Sequence, residues 1–190
     1  MARTFNYDIL EIIKERWSAR AIDQSPIPLN DIKAVMEAAR YAPSCFNEQP
    51  WRYIVAYEGE DLTLMRSFLT EKNMKWAGKA PVLMMILSTN TFHRNQKANK
   101  WNQFDAGTSW GFMQLEAWKR GYVTHGMAGF SADRARDQLN IPEDHDIICM
   151  VAMGRYGNLE ELDPLFHAIE RPNERNPLES MMLKVDTFIK

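Results

Sequence analysis

Ala42-Pro43-Ser44-Cys45-Phe46-Asn47-Glu48-Gln49-Pro50-Trp51 joins two segments of different periodicity. On its N-terminal side Leu29, Ile32, Val35, Met36 and Ala39 recur at helical spacing, Asn30 is placed to cap them, and Pro43 stops them. On its C-terminal side Pro50 releases a strand from Tyr53 to Tyr57. Small and amide side chains between prolines make a stiff loop rich in donors and acceptors. Such a loop suits the polar edge of a flat heterocycle, and it equally suits a plain capping turn.

Outward from this junction, helix and strand alternate. Upstream, Ile9, Ile12, Ile13 and Trp17 predict an amphipathic helix from Tyr7 to Trp17. Downstream come a helix near Asp61 to Leu69, a Lys-rich segment, and a buried strand over residues 82–88. The apolar run Pro81 to Leu87 is far shorter than the roughly 20 residues that span a bilayer. A polar excursion from Asn90 to Gln103 leads to a long helix, capped by Asp105 and running to Lys119. Trp110, Phe112, Met113, Leu115 and Trp118 surround most of that helix and predict a central, buried position. Ser131 caps a helix from Ala132 to Leu139, and Ile147 to Met153 reads as an interior strand. Beyond about residue 158 the chain is charged and carries Pro164, Pro172 and Pro177, which predicts an extended arm. With no repeat and no Gly/Ser linker, residues 1–190 read as one α+β domain.

Composition removes several classes. The 23 basic and 25 acidic residues leave a net charge of -2, which supplies no global field for nucleic acid or an anionic membrane. Cys45 and Cys149 make no disulfide framework, and the four histidines lack metal-site spacing. The N-terminal stretch has neither the apolar core nor the cleavage site of a secretion signal, so a cytoplasmic location is expected. Six Trp, nine Phe, six Tyr and twelve Met suit a flat ligand, a broad subunit contact or simply a well-filled core.

Two further clusters accompany the opening loop. In Glu15-Arg16-Trp17-Ser18-Ala19-Arg20 an extended backbone would put Arg16, Ser18 and Arg20 on one face, two guanidinium forks around a hydroxyl. That is a phosphate grip, although arginines at a helix end also serve merely to oppose the dipole. In Gly121-Tyr122-Val123-Thr124-His125-Gly126-Met127-Ala128-Gly129-Phe130 two of the three glycines would let the backbone approach a ligand, or form an ordinary turn before Ser131.

Together these segments resemble the nitroreductase family. The resemblance rests on Arg16-x-Ser18-x-Arg20, on the Ala42 to Trp51 composite, on the Gly126 to Phe130 turn, on Met153-Gly154, and on Arg175-Asn176-Pro177-Leu178-Glu179. It implies a mixed central sheet wrapped by helices, an intertwined homodimer, and one FMN in each of two interface grooves. By position, Arg16, Trp17, Ser18 and Arg20 would meet phosphate, ribityl and pyrimidine edge. Pro43, Ser44, Cys45, Phe46 and Asn47 would come from the partner subunit. Gly126, Met127, Ala128 and Gly129 would pass the ring near its N5, Arg175 would close on the phosphate, and Asn73 would add a contact. Trp76 stands where some relatives place a flavin-facing lysine, and Ala128 where larger members have a Glu.

The resemblance further implies hydride transfer from NADH or NADPH through flavin to a small-molecule electron acceptor such as a nitroaromatic or quinone, with no side-chain acid or base. Two other readings stay open: a flavin-binding sensor or storage protein without turnover, and a hydrolase using Cys45 as nucleophile and His125 as base.

Overall fold

The computed structural model describes residues 3–188. Its framework is a four-stranded sheet built from β1 (Trp51–Ala56), β2 (Val82–Thr89), β3 (Tyr122–Met127) and β4 (His145–Arg155), in the order β1-β2-β4-β3. Every described pairing is antiparallel, so the mixed character expected of the sheet is not found within one chain.

β2 is buried from Val82 to Ser88. An antiparallel strand with one wet face would alternate apolar and polar residues, whereas β2 reads as one apolar run because both of its faces are covered. Val82, Met84 and Ile86 point towards Ile32, Val35 and Ala39 of α2 (Leu29–Arg40) and Ala106, Met113 and Ala117 of α5 (Asn102–Lys119). Leu83, Met85 and Leu87 point the other way, towards Leu62 and Met65 of α3 (Gly59–Ser67), Trp76 and Ala77 of α4 (Glu71–Ala77), and Ala135 of α6 (Ala132–Leu139). The result is three layers, helix, sheet and helix, with the expected α+β class.

Several boundaries move for identifiable reasons. Only Glu11–Glu15 of the predicted Tyr7–Trp17 segment is helical (α1), and none of its residues is buried. Of its apolar stripe only Trp17 packs against the core; Ile12 is half-buried, and Ile9 and Ile13 are exposed. Asn30 does not cap α2. Pro28 holds that position and makes no side-chain cap bond. Nor does Asp105 cap α5, because it lies inside the first turn, buried, and accepts the Cys45 backbone N–H at 3.0 Å. α5 packs through Ala106, Ser109, Met113 and Ala117, yet Phe104 and Phe112 remain exposed, so it is buried on one side only. The Lys-rich segment is α4, started by Thr70, whose hydroxyl accepts the Asn73 N–H. Gly121 to Met127 is mostly strand β3 rather than turn. Ser131 caps α6 as expected. The arm is not extended from its start: residues 159–169 form 3-10 turns that seat Leu162 and Phe166 on the core, and the exposed run begins near Arg171. Among the described residues no helix is long and apolar enough to cross a membrane.

Candidate functional site

Arg16 to Arg20 leaves α1 in extended form, as the alternating side chains require. Glu170 fixes the end of this segment, since one buried carboxylate oxygen accepts the N–H groups of Arg20 at 2.7 Å and Ala21 at 2.8 Å. Its second oxygen, Oε2, is buried without a partner.

The segment forms one wall of a cleft of about 200 Å³ lined by Arg3, Arg16, Trp17, Ser18, Arg20, His125, Ile169, Arg171, Asn173 and Arg175. Among the described residues none of these five arginines forms a salt bridge. Arg16 donates to Gln114 Oε1 at 2.7 Å, a neutral partner, and Arg3 donates to the carbonyls of Lys14 and Arg16. Arg3 Nε is buried and unpartnered. Burial and then the charges of Arg3 and Arg175 push the Arg16 pKa down, the signature of cations crowded without a counter-ion.

Behind this wall a packed set of side chains links the third cluster to the first. Asn73 donates its amide N–H to the Gly129 carbonyl at 3.0 Å and accepts the Trp76 indole N–H at 3.1 Å. The Trp76 ring lies 4.5 Å from that of His125, and the Arg20 guanidinium sits 5.9 Å from its centroid. Trp76 is itself buried, a wall of the core rather than a free substituent in the cleft. A Cβ at Gly129 would lie 2.5 Å from Asn73 Nδ2, so any larger residue there must push the Asn73 amide aside. The close approach that glycine permits is thus filled by Asn73.

The opening loop lies elsewhere. Pro43, Ser44 and Cys45 line a separate cleft of about 210 Å³ with Trp101, Phe104, Asp105 and Thr108. The backbone is left-handed at Phe46 (φ 54°), Asn47 (φ 58°) and Gln49 (φ 51°), each at a cost of about 1 kcal/mol or more. The Ser44 hydroxyl accepts the Gln49 N–H at 2.9 Å, and Asp105 holds Cys45. Phe46 projects 68% exposed, with the Arg94 guanidinium 3.8 Å from its ring centroid and Phe92 at its edge. α5 measures the gap between the clefts: Asp105 and Gln114 are nine residues apart, about 14 Å along the axis at about 1.5 Å per residue.

One chain therefore unites Arg16, Trp17, Ser18, Arg20 and Arg175, links Asn73 with Gly129 behind them, and leaves Pro43 to Asn47 outside. Gly126 lies in β3 beside Trp110, Met127 is buried in the core, and Ala128 is exposed. Arg3, His125, Arg171 and Asn173 join the cleft without having been singled out as ligands. Arg171 and Asn173 flank the Pro172 of the arm, and only this proximity to Arg175 hinted at them.

The sequence matches the profile described as the nitroreductase family over residues 13–73 and 60–155. The chain belongs to the nitroreductase family. Among solved structures, one described as an oxidoreductase containing FMN is 34% identical, with a TM-score of 0.92, covering 96% of this chain and 94% of that one. A family protein from Clostridium difficile, 22% identical with a TM-score of 0.71 over 93% of this chain and 98% of its own, shares the fold. NADH dehydrogenase of Thermus thermophilus is 25% identical over 201 positions, 89% of this chain and 92% of its own. Nitrobenzene nitroreductase of Ectopseudomonas oleovorans is 35% identical over 52 residues, 27% of this chain. The matched stretches span only 23% of that enzyme and 36% of an Archaeoglobus fulgidus relative.

The residues present fit a phosphorylated flavin. Five guanidiniums without a salt bridge among the described residues and a serine hydroxyl converge on one cleft, which is the donor set a phosphate monoester needs.

Proposed function

We propose that the chain is an FMN-dependent oxidoreductase, taking hydride from NADH or NADPH and delivering it to a small oxidant such as a nitroaromatic or a quinone, and working as a homodimer. The observation that carries this reading is the arginine cleft, whose five guanidiniums form no salt bridge among the described residues. In it Arg16, Arg20 and Arg175 hold the phosphate, Ser18 contributes a hydroxyl, and Trp17, resting on Tyr156 with ring centroids 5.7 Å apart, closes one side. When bound, FMN supplies a group that accepts and returns hydride.

The protein's share is positioning. Glu170 fixes the segment that carries the arginines, and Asn73, Trp76 and His125 form a rigid rear wall. Burial pushes His125 down to about 4, so near neutral pH its ring holds no second proton and is no ready proton donor in turnover. The Pro43 to Asn47 loop stands outside the cleft of its own chain, which supports its delivery to the cleft of a second copy. The exposed apolar surface of Leu10, Ile13, Phe104 and Phe112 supports the same association.

The test is direct. Heat-released chromophore from the purified protein is expected to co-chromatograph with FMN, and the protein to oxidise NADH or NADPH with nitrobenzene or a benzoquinone as acceptor. A colourless protein, or one releasing FAD, would reject the cofactor. Binding without turnover would favour the sensor reading. The hydrolase alternative gains nothing, since Cys45 and His125 line different clefts and share no hydrogen bond.

A further inference from the structure

The arginine cleft is lined almost wholly by donors. Arg3, Arg16, Arg20, Arg171 and Arg175 have no acceptor atom, Trp17 offers only its indole N–H, and the acceptor oxygens of Ser18 and Asn173 sit on groups that also donate and can turn. His125 differs, and one contact settles its tautomer. Its Nδ1 lies 3.0 Å from the Ala19 carbonyl oxygen. A carbonyl oxygen accepts and never donates, so Nδ1 carries the hydrogen. The ring is held in this pose by Trp76, at an interplanar angle of 40°. Burial, followed by the nearby Arg20 and Arg16 charges, opposes a second proton. Nε2 is therefore a bare lone pair, and among the described residues it has no protein partner.

We propose that His125 Nε2 is a fixed acceptor that reads a donor hydrogen, an N–H or O–H, on the phosphorylated ligand of the arginine cleft. The arginines bind any oxyanion, whereas His125 adds a preference for one attached to a group that can donate. The proposal rests on the FMN reading above. For FMN the available donors are the ring N3–H and the ribityl hydroxyls.

Titration of apoprotein with FMN, followed by flavin fluorescence, tests the idea without recourse to activity. His125→Phe keeps a ring against Trp76 but removes both nitrogens, and is expected to weaken FMN binding about three- to tenfold, as for loss of one neutral hydrogen bond. Sulfate, which has no hydrogen to donate at pH 8, is expected to bind wild type and variant equally by calorimetry, which shows the arginines undisturbed. N3-methyl FMN then separates the two donors. If the variant loses nothing further against this analogue, the hydrogen read is N3–H; an undiminished gap between the proteins assigns it to a hydroxyl.

A second measurement needs no variant. In ¹⁵N NMR of wild-type apoprotein, Nδ1 of His125 should appear protonated and Nε2 bare, and the Nε2 resonance should move on addition of FMN but not of sulfate. Equal FMN affinity in the two proteins, a proton on Nε2, or an Nε2 resonance unmoved by FMN would overturn the proposal. A wild type that binds no FMN at all would overturn the cofactor reading itself, an outcome distinct from equal binding by both proteins.

Discussion

Arg16 is half-buried, faces Arg3 and Arg175, and has only a glutamine for a partner. Such a side chain contributes most when an anion arrives. Replacing Arg16, Arg20 or Arg175 singly with alanine is expected to remove about 1.5 to 3 kcal/mol of FMN binding, a ten- to hundredfold rise in Kd measured on apoprotein. Unchanged constants in all three variants would refute the assignment. His125 gives a residue-scale prediction of a different kind. Its folded pKa, about 4, lies below the ordinary 6.5, so the unfolded chain takes the proton first. The contribution is complete above about pH 6.5 and is lost as pH falls through 4, at most about 3 kcal/mol at about 1.36 kcal/mol per unit. Urea titrations across pH 4 to 7 should show wild type losing more stability than His125→Phe over that window. Parallel losses in the two proteins would exclude His125 as the cause.

At the scale of elements, the Arg16 to Arg20 segment has few ladder bonds of its own and depends on Glu170, a residue about 150 positions away. Glu170→Ala strands two backbone N–H groups, so it is expected to cost about 2 to 4 kcal/mol by urea unfolding and to loosen FMN together with it. Stability lost with FMN affinity unchanged would show that the segment holds its shape unaided. Glu170 also shows where sequence reading stops. β2, β4 and α2 were legible because their apolar period matches their burial, the Pro43 and Ser131 signals are local, and α5 was legible in extent but not in burial, because Phe112 stays exposed. α4 was obscured by its charged outer face, with only Trp76 and Ala77 buried, although Thr70 and Asn73 carried a capping signal. β3 was hidden by Gly121 just before it and Gly126 within it, despite the strand-forming Tyr122, Val123 and Thr124. The first helix was overcalled because its apolar stripe looks the same whether it meets its own core or stays exposed. Arg3, Arg171 and Asn173 reach the cleft through space from both ends of the chain, and no periodicity reports that.

For the whole molecule, the arginine cluster and the opening loop occupy separate clefts of one chain, and the shared-site dimer predicts how their defects combine. A variant lacking Arg16 and Arg20 and another lacking Ser44 and Asn47 each damage both sites of their own homodimer. In the mixed dimer one site collects every change and the other none. Coexpression is therefore expected to restore FMN binding to about half of wild type per dimer, read by flavin content of the isolated heterodimer. Verified heterodimers with no recovery would place both groups in the same chain's site.

The unneutralised arginines also bear on the life of the protein before it is loaded. With none of them in a salt bridge among the described residues and only Glu174 acting on Arg3, much of their mutual repulsion is borne by the fold until an anion enters, and salt alone relieves only part of it because the cleft is partly withdrawn from solvent. A freshly made chain is in this sense an unfinished ion pair, and its resistance to unfolding rises with the concentration of whatever anion fills the gap. Cells short of that anion would hold less of the protein because more of it would be open to proteolysis, so abundance would follow ligand supply without any dedicated regulator.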